Sequence, residues 1–381
     1  MTPQTEAELA DIVLSASGPL RVIGGDTRRI GTQGAATPVH TGGLSGITLY
    51  EPGALTMVAQ AGTPLAEIEA ALGAENQRLA FEPGDWRQVL GTTGTPTIGG
   101  IVSANVSGPR RIQTGACRDH MLGVRFVDGA GSIIKNGGRV MKNVTGYDLV
   151  KLMTGAWGTM GILTEVSFKV LAKPQTERTL ALAGLDADSA VQKLSAALGS
   201  PFDVTGAAHA DAGTLADGAL TLVRIEGLSE SVAYRSEQLT DTLLPGCEIH
   251  EDDASAALWQ HMRDVTPMAG PGALWRVSVK PSDGPRLTEM LRAEGHAISC
   301  LYDWGGGLVW VRFEGNDLAQ AQAVRRATQS LGGHATLMRG SAELKEAVPI
   351  FEPENPVVAK ISAGLRAQFD PRGLLNPGLM G

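Results

Sequence analysis

Gly155-Ala156-Trp157-Gly158-Thr159-Met160-Gly161-Ile162-Leu163-Thr164-Glu165 closes a series of glycine clusters that decides how this chain is read. The series opens with Val22-Ile23-Gly24-Gly25-Asp26-Thr27 and Arg28, passes through Thr97-Ile98-Gly99-Gly100-Ile101 with Asn105 and Gly108, and then meets Gly115. Of 49 glycines in 381 residues, fifteen fall between Gly91 and Gly161, with no collagen-like or low-complexity period to explain them. Glycine admits positive φ and carries no Cβ, so such clusters bring backbone and its free NH groups close to something. The region is also basic: from Gly91 to Lys173 there are ten Lys or Arg against four acids, inside a chain whose net charge is -8. Free amides together with a positive local field are what a small anionic ligand such as a phosphate needs.

Composition removes several other classes. With 43% hydrophobic and 19% charged residues, the chain folds into two or three units. The acidic balance is a poor one for gripping nucleic acid. Cys117, Cys247 and Cys300 lie too far apart for an iron-sulfur cluster, a zinc ribbon or a disulfide framework, and no two of the seven histidines stand at metal-ligand spacing. The uncharged run Gln88 to Pro109 contains five glycines and two prolines, so it reads as packed loops and not as a membrane span. Met1 to Asp11 is acidic and has neither the basic nor the apolar region of a secretory leader. Gly-x-Gly-x-x-Gly, Gly-x-x-x-x-Gly-Lys-Ser/Thr, Gly-x-Ser-x-Gly and His-Glu-x-x-His are all missing, which counts against a Rossmann dinucleotide domain, a P-loop, an α/β-hydrolase and a zincin.

Local patterns order the chain. Thr5 with Glu8 forms a capping box for a helix to Ala16, Leu20 to Ile23 is a strand, and paired Gly24-Gly25 is expected to supply positive φ. Leu55 to Ala61 is a strand, Thr63 and Pro64 cap a helix through Leu72, and Asp128-Gly129 turns a hairpin between Arg125 to Val127 and Ser132 to Ile134. Beyond about Lys173 glycine thins and strands alternate with helices (Ser189 to Leu198, Ser229 to Leu243, Asp317 to Leu331), the rhythm of an antiparallel α+β unit built from split βαβ pieces. No sequence repeat confirms a duplication.

The four glycine clusters together resemble the FAD-binding domain of the vanillyl-alcohol oxidase and p-cresol methylhydroxylase family. Ser107-Gly108-Pro109-Arg110-Arg111, Gly115-Ala116-Cys117-Arg118-Asp119, Val140-Met141-Lys142-Asn143-Val144-Thr145-Gly146-Tyr147-Asp148-Leu149 and Leu331-Gly332-Gly333-His334-Ala335-Thr336 narrow this to a resemblance to FAD-binding subunits of bacterial glycolate oxidase. The resemblance implies an α+β fold, with a two-part FAD-binding domain over 1–173 (about 1–51 and 52–173). It further implies a ferredoxin-like α+β cap over 174–345, and a C-terminal segment, 346–381, whose Asp370-Pro371 and Asn376-Pro377-Gly378 return to the flavin domain. It implies FAD held by Gly24, Gly25, Asp26, Thr27, Arg28, Thr97, Gly99, Gly100, Asn105, Gly108, Arg111, Gly115, Gly161 and Ile162, with the first loop and the Gly-Gly loop around the pyrophosphate.

The implied partners are a second FAD-linked subunit and an iron-sulfur subunit, the implied substrate of the complex is a small 2-hydroxy acid, and the implied location is the cytoplasm or the inner face of the membrane. Two departures matter. Catalytic relatives carry a His-x-Gly-Asp-Gly-Asn-x-His segment that supplies metal ligands, where this chain has Asp303-Trp304-Gly305-Gly306-Gly307-Leu308-Val309-Trp310; and the first loop has no histidine to tether flavin, so FAD is expected to be non-covalent. The hydroxy acid is then expected to be oxidised on the paired subunit. A self-sufficient FAD-dependent dehydrogenase, with Arg110 or Arg111 fixing a carboxylate, and a non-catalytic nucleotide-binding scaffold remain as alternatives. Lys142 and Tyr147 are further candidates to face the flavin.

Overall fold

The computed structural model describes residues 1–31, 34–139 and 146–380. Helix Glu6–Ser15 starts where Thr5 Oγ1 accepts the Glu8 NH at 3.1 Å, and it buries Leu9, Ala10 and Val13. These meet Leu20, Val39, Val127, Ile162, Leu374 and Leu375 in a small core. Strands Leu20–Ile23 and Thr37–His40 pair in parallel, and Leu375 adds a parallel bridge to Leu20, so the end of the chain completes the sheet begun near its start.

A five-stranded antiparallel sheet follows, in the order Ile47–Glu51, Thr56–Gln60, Ile162–Lys169, Met121–Val127, Ile133–Gly137. The hairpin closes at Val127 and Ile133, with Asp128 Oδ1 accepting from the NH groups of Ala130 and Ser132. One capping expectation is corrected. Helix Leu65–Ala74 begins after Pro64, and Thr63 is not its cap, because its hydroxyl donates to Gln60 O at 2.7 Å instead.

The cap is one eight-stranded antiparallel sheet, ordered Glu248–Glu251, Thr176–Ala183, Leu220–Gly227, Val204–Ala210, Ile298–Asp303, Leu308–Phe313, Leu274–Ser278, His334–Arg339. Each half is a βαββαβ unit, and the two join edge to edge where His209 faces Tyr302 and Ala210 faces Leu301. The two units share a topology without a sequence repeat because a buried sheet face constrains volume and apolarity, not residue identity. Joining the second strands of both units covers an edge that each would otherwise expose.

A buried ionic network ties the eight-stranded sheet to the N-terminal half expected to hold flavin. Arg110 reaches Glu226 (2.8 Å) and Glu82 (3.0 Å), Arg224 reaches Glu82 (3.0 Å), and Arg78 reaches Glu226 (2.5 Å). Arg78, Glu82 and Arg110 come from the flavin half, and Arg224 and Glu226 from strand Leu220–Gly227 of the cap. Arg110 is thus fully engaged in holding the two halves together, and a role for it in fixing a diphosphate or a carboxylate is excluded by these partners.

Candidate functional site

Four stretches far apart in sequence enclose a cleft of about 420 Å³: 19–31 with 34–36, Gly99 to Ser103, Trp157 to Gly158, and the C-terminal residues Asn376 to Leu379, with Lys345 and Val348 to Ile350 along one wall. Its floor is the turn that leaves strand Leu20–Ile23. Among the described residues, the backbone NH groups of Gly24 to Arg29 donate to no acceptor in the protein. A run of unpaired amides at a strand end is an anion-binding concavity.

The turn is held by close approach. A Cβ on Gly25 would stand 1.6 Å from Thr95 O, and one on Gly94 would stand 1.7 Å from Gly25 O, so the two loops touch backbone to backbone. Thr92 Oγ1 donates to Thr27 O at 3.0 Å and Arg87 Nη1 to Gly94 O at 3.1 Å, clamping the same contact. The expectation that Gly24 and Gly25 supply positive φ is corrected: Asp26 takes that conformation, at φ 55°, with its carboxylate paired to Arg29. What the glycines provide here is room.

Gly24, Gly25, Asp26, Thr27, Arg28, Gly99 and Gly100 all line the cleft. The Arg28 guanidinium, however, turns away to donate to Gly84 O at 2.6 Å and lies 5.2 Å from the Trp86 ring centre, and burial pushes it down to about 10. Gly99 gives its NH to Ala61 O at 2.8 Å and Gly100 gives its own to Thr97 Oγ1 at 3.3 Å. These two residues therefore shape the cleft by lacking side chains, while the free amides belong to the first turn.

The other candidates stand behind the wall. Thr97 caps helix Ile98–Ser103. Asn105, at φ 49°, accepts the Arg118 NH through its side chain at 2.9 Å. Gly108 presses on Glu82 O, where a Cβ would come within 2.3 Å, and its carbonyl accepts from Trp304 Nε1 at 3.0 Å. Gly115 ends a helical turn at φ 89°, Gly161 packs under the Phe126 ring, and Ile162 is buried in the small core with Leu163 taking its place at the cleft. Arg111 lies on Trp304, 4.3 Å from its ring centre. Tyr147 is 89% exposed, and Lys142 falls outside the described residues. Cys117 is buried and its thiol is pushed up by that burial, so it is no nucleophile.

Two wall segments carried no signal in the sequence. Asn376 locks the C-terminal loop onto the cleft by accepting the Val22 NH (2.8 Å) and donating to Trp157 O (2.8 Å). Lys345 lines the cleft without a side-chain partner among the described residues, and burial holds its amine below the usual lysine range. A bound diphosphate would favour its charged form. Replacing Lys345 with Met should weaken FAD retention about tenfold, or about 1.4 kcal/mol, measured by flavin fluorescence titration; an unchanged affinity would place the diphosphate elsewhere.

The residues present fit an FAD: unpaired amides and a lysine without a side-chain partner among the described residues would suit its diphosphate, and apolar Val22, Ile23, Leu163, Trp157 and Ile350 would flank the rest. Among the described residues, no histidine, cysteine or tyrosine lines the cleft, so they offer no side chain of the kinds that tether flavin.

Residues 1–137 match the family model described as an FAD binding domain. Among solved structures, 4-ethylphenol oxidase from Gulosibacter chungangensis superposes over 100% of this chain and 88% of its own, with a TM-score of 0.73 at 14% identity. An alkyldihydroxyacetonephosphate synthase covers 99% of this chain and 76% of its own, at TM-score 0.70 and 15% identity. The family model, with the fold, defines an FAD-binding protein of the p-cresol methylhydroxylase type of fold, and the relatives in sequence make it an FAD-dependent oxidoreductase. In sequence, the chain is 36% identical to glycolate oxidase subunit GlcE of Escherichia coli (strain K12) over 337 residues, 88% of this chain and 84% of the relative. It is 27% identical to glycolate oxidase subunit GlcD of Bacillus subtilis (strain 168) over 320 residues, 74% of this chain and 68% of that one. The chain belongs to the glycolate oxidase subunit GlcE family.

Proposed function

We propose that this chain is the FAD-bearing GlcE-type subunit of a complex that oxidises glycolate to glyoxylate and passes the electrons to an iron-sulfur subunit. The observation that carries the reading is a cleft with free amides at one end and no tethering side chain, in a chain alike to a glycolate oxidase subunit over 88% of its length. Bound FAD supplies a two-electron acceptor. The chain's own residues hold its diphosphate on the Gly24–Arg29 turn, close the cleft with Asn376 and Lys345, and exclude water with the apolar wall. Three scattered cysteines, two of them buried, give this chain no means to ligate a cluster, so electrons leave through another polypeptide. The assignment of Gly24, Gly25, Asp26, Thr27, Gly99 and Gly100 to the cofactor site, and the partition into 1–173, 174–345 and 346–381, are parts of this reading. So are a second FAD-linked partner and a cytoplasmic or inner-membrane location; no helix among the described residues is long and apolar enough to cross a membrane.

The purified chain is expected to be yellow, and acid precipitation should release all flavin into the supernatant. Affinity isolation from its native source should bring down a flavoprotein and an iron-sulfur polypeptide, with dye reduction by glycolate confined to that assembly. Flavin retained in the acid pellet would overturn the non-covalent assignment. Isolation as a lone polypeptide with full glycolate activity would overturn the subunit assignment.

A further inference from the structure

Helix Pro356–Phe369, in the C-terminal segment, faces its apolar side outward. Val357, Ile361 and Leu365 recur every fourth residue with Val358 beside them, the stripe that a surface helix ordinarily lays against the core. Here Val357 is 70% exposed, Ile361 59%, Val358 43% and Leu365 38%. The side on which the helix rests is marked by half-buried Ala359, Ser362 and Arg366, and the Ser362 hydroxyl donates to Glu354 at 3.0 Å. None of its residues is buried, whereas every other described helix of ten residues or more buries at least three.

The helix is nevertheless firmly set. Asn355 Oδ1 accepts from the NH groups of Val357 and Val358 at 3.1 Å and 3.0 Å, and Pro356 occupies the first turn. At the other end the Phe369 ring meets that of Phe126, 6.1 Å between centres, and Asp370 Oδ2 accepts the Leu375 NH at 2.7 Å. With both ends fixed, the outward stripe belongs to the folded chain. Contiguous apolar surface in water forgoes the stabilisation that burial brings, and such patches mark where another molecule binds.

The place of the helix in the chain indicates which molecule. Lys345 and Val348 to Ile350, which precede it, and Asn376 to Leu379, which follow it, all line the cofactor cleft. Only residues 351–355 and 370–375 join the helix to those walls, so each of its ends stands within about 22 Å of the cleft. A polypeptide seated on this face lies beside the cleft from which, in the proposed function, electrons leave. The helix carries Lys360 and Arg366 and no acid, in a chain whose net charge is -8. Two cations beside an apolar stripe suit a partner with acidic side chains around an apolar groove. A second copy would set like charges against each other, and the acidic chain as a whole is repelled by an anionic lipid surface.

We propose that the outward face of helix Pro356–Phe369 docks the electron-accepting polypeptide of the complex, with Val357, Ile361 and Leu365 as anchors in an apolar groove rimmed by acidic side chains. This deepens the proposed function, on which it rests, by naming the surface through which the subunit joins its assembly.

The test isolates the tagged full-length chain with its partners from the native source and measures iron per chain, alongside flavin content and Tm of the chain expressed alone. Val357→Asp combined with Ile361→Asp should lower bound iron at least tenfold, with flavin content and Tm unchanged because neither side chain is packed in the fold. Leu228→Asp, at an equally exposed apolar position before helix Ser229–Thr242, should retain iron as wild type does. Lys360→Glu should weaken capture at low salt and less so at high salt. Wild-type iron in the double variant overturns the docking face and leaves the subunit assignment standing. The face is equally overturned if the double variant keeps its iron but loses a dimer that light scattering finds in wild type, which assigns the stripe to a second copy, or loses flotation with phosphatidylglycerol vesicles, which assigns it to lipid. A lower Tm of the lone double variant assigns the stripe to the fold and overturns the proposal too. A wild-type isolate with no iron-sulfur polypeptide fails the proposed function itself, and this face with it.

Discussion

Gly25→Val should yield a protein that purifies colourless, with its cap still folded. The new Cβ would lie 1.6 Å from Thr95 O and 2.5 Å from Thr95 C, a distance no rotamer relieves because the obstacle is backbone. The turn must move away from the 92–97 loop, and the unpaired amides of Gly24 to Arg29 lose their alignment. Flavin content should fall below about a tenth of wild type, a loss of more than about 1.4 kcal/mol in binding. The cap buries its own core through Leu180, Leu194, Val223, Ile225, Val232 and Leu239, so its far-ultraviolet signal should survive. A mutant that remains fully yellow would show that the turn does not hold the cofactor. Gly24→Ala makes the milder comparison, since its Cβ would meet Thr97 Oγ1 at 2.9 Å, the end of a side chain that can rotate.

Glu226→Ala should be the most destabilising single change in the ionic seam. It strips Arg78 of its carboxylate and leaves Arg110 with Glu82 in place of the pair it shares with Glu226, in a site where Glu226 itself is only 2% exposed. Removing one member of a buried ion pair typically costs about 3–5 kcal/mol, which for a chain of this size means a Tm lower by roughly 10 °C. Calorimetry would decide it; a loss under about 1 kcal/mol would mean water replaces the carboxylate.

The same network sets an acid limit. Burial alone would raise the Glu82 and Glu226 carboxyls, but Arg110 and Arg224 reverse this and hold both below the usual carboxylate range. Their contribution is therefore complete above the unfolded value of about 4.3 and is lost as pH falls through it toward the lower folded values. Wild-type stability should drop between about pH 4.5 and pH 2, and Glu226→Ala should flatten that drop.

The sequence by itself determined the class of ligand and the first loop that meets it. Gly24, Gly25, Gly99 and Gly100 reach the cleft because glycine clusters are a local signal: they mark where backbone comes close to something, whatever that is. Helices and strands with a clear period were legible for the same reason, including the Asp128-Gly129 hairpin and the helices of the cap. Tertiary structure alone decided the rest. Lys345 and Asn376 join Val22 across more than 300 residues, and nothing in the residues around them marks that meeting. Arg110 and Arg111 are adjacent in sequence and alike in type, yet one is consumed by Glu82 and Glu226 while the other lies against the Trp304 ring. A side chain's charge is set by its own chemistry, but whether that charge is spent on structure or left for a ligand depends on which partners the fold brings within about 4 Å of it.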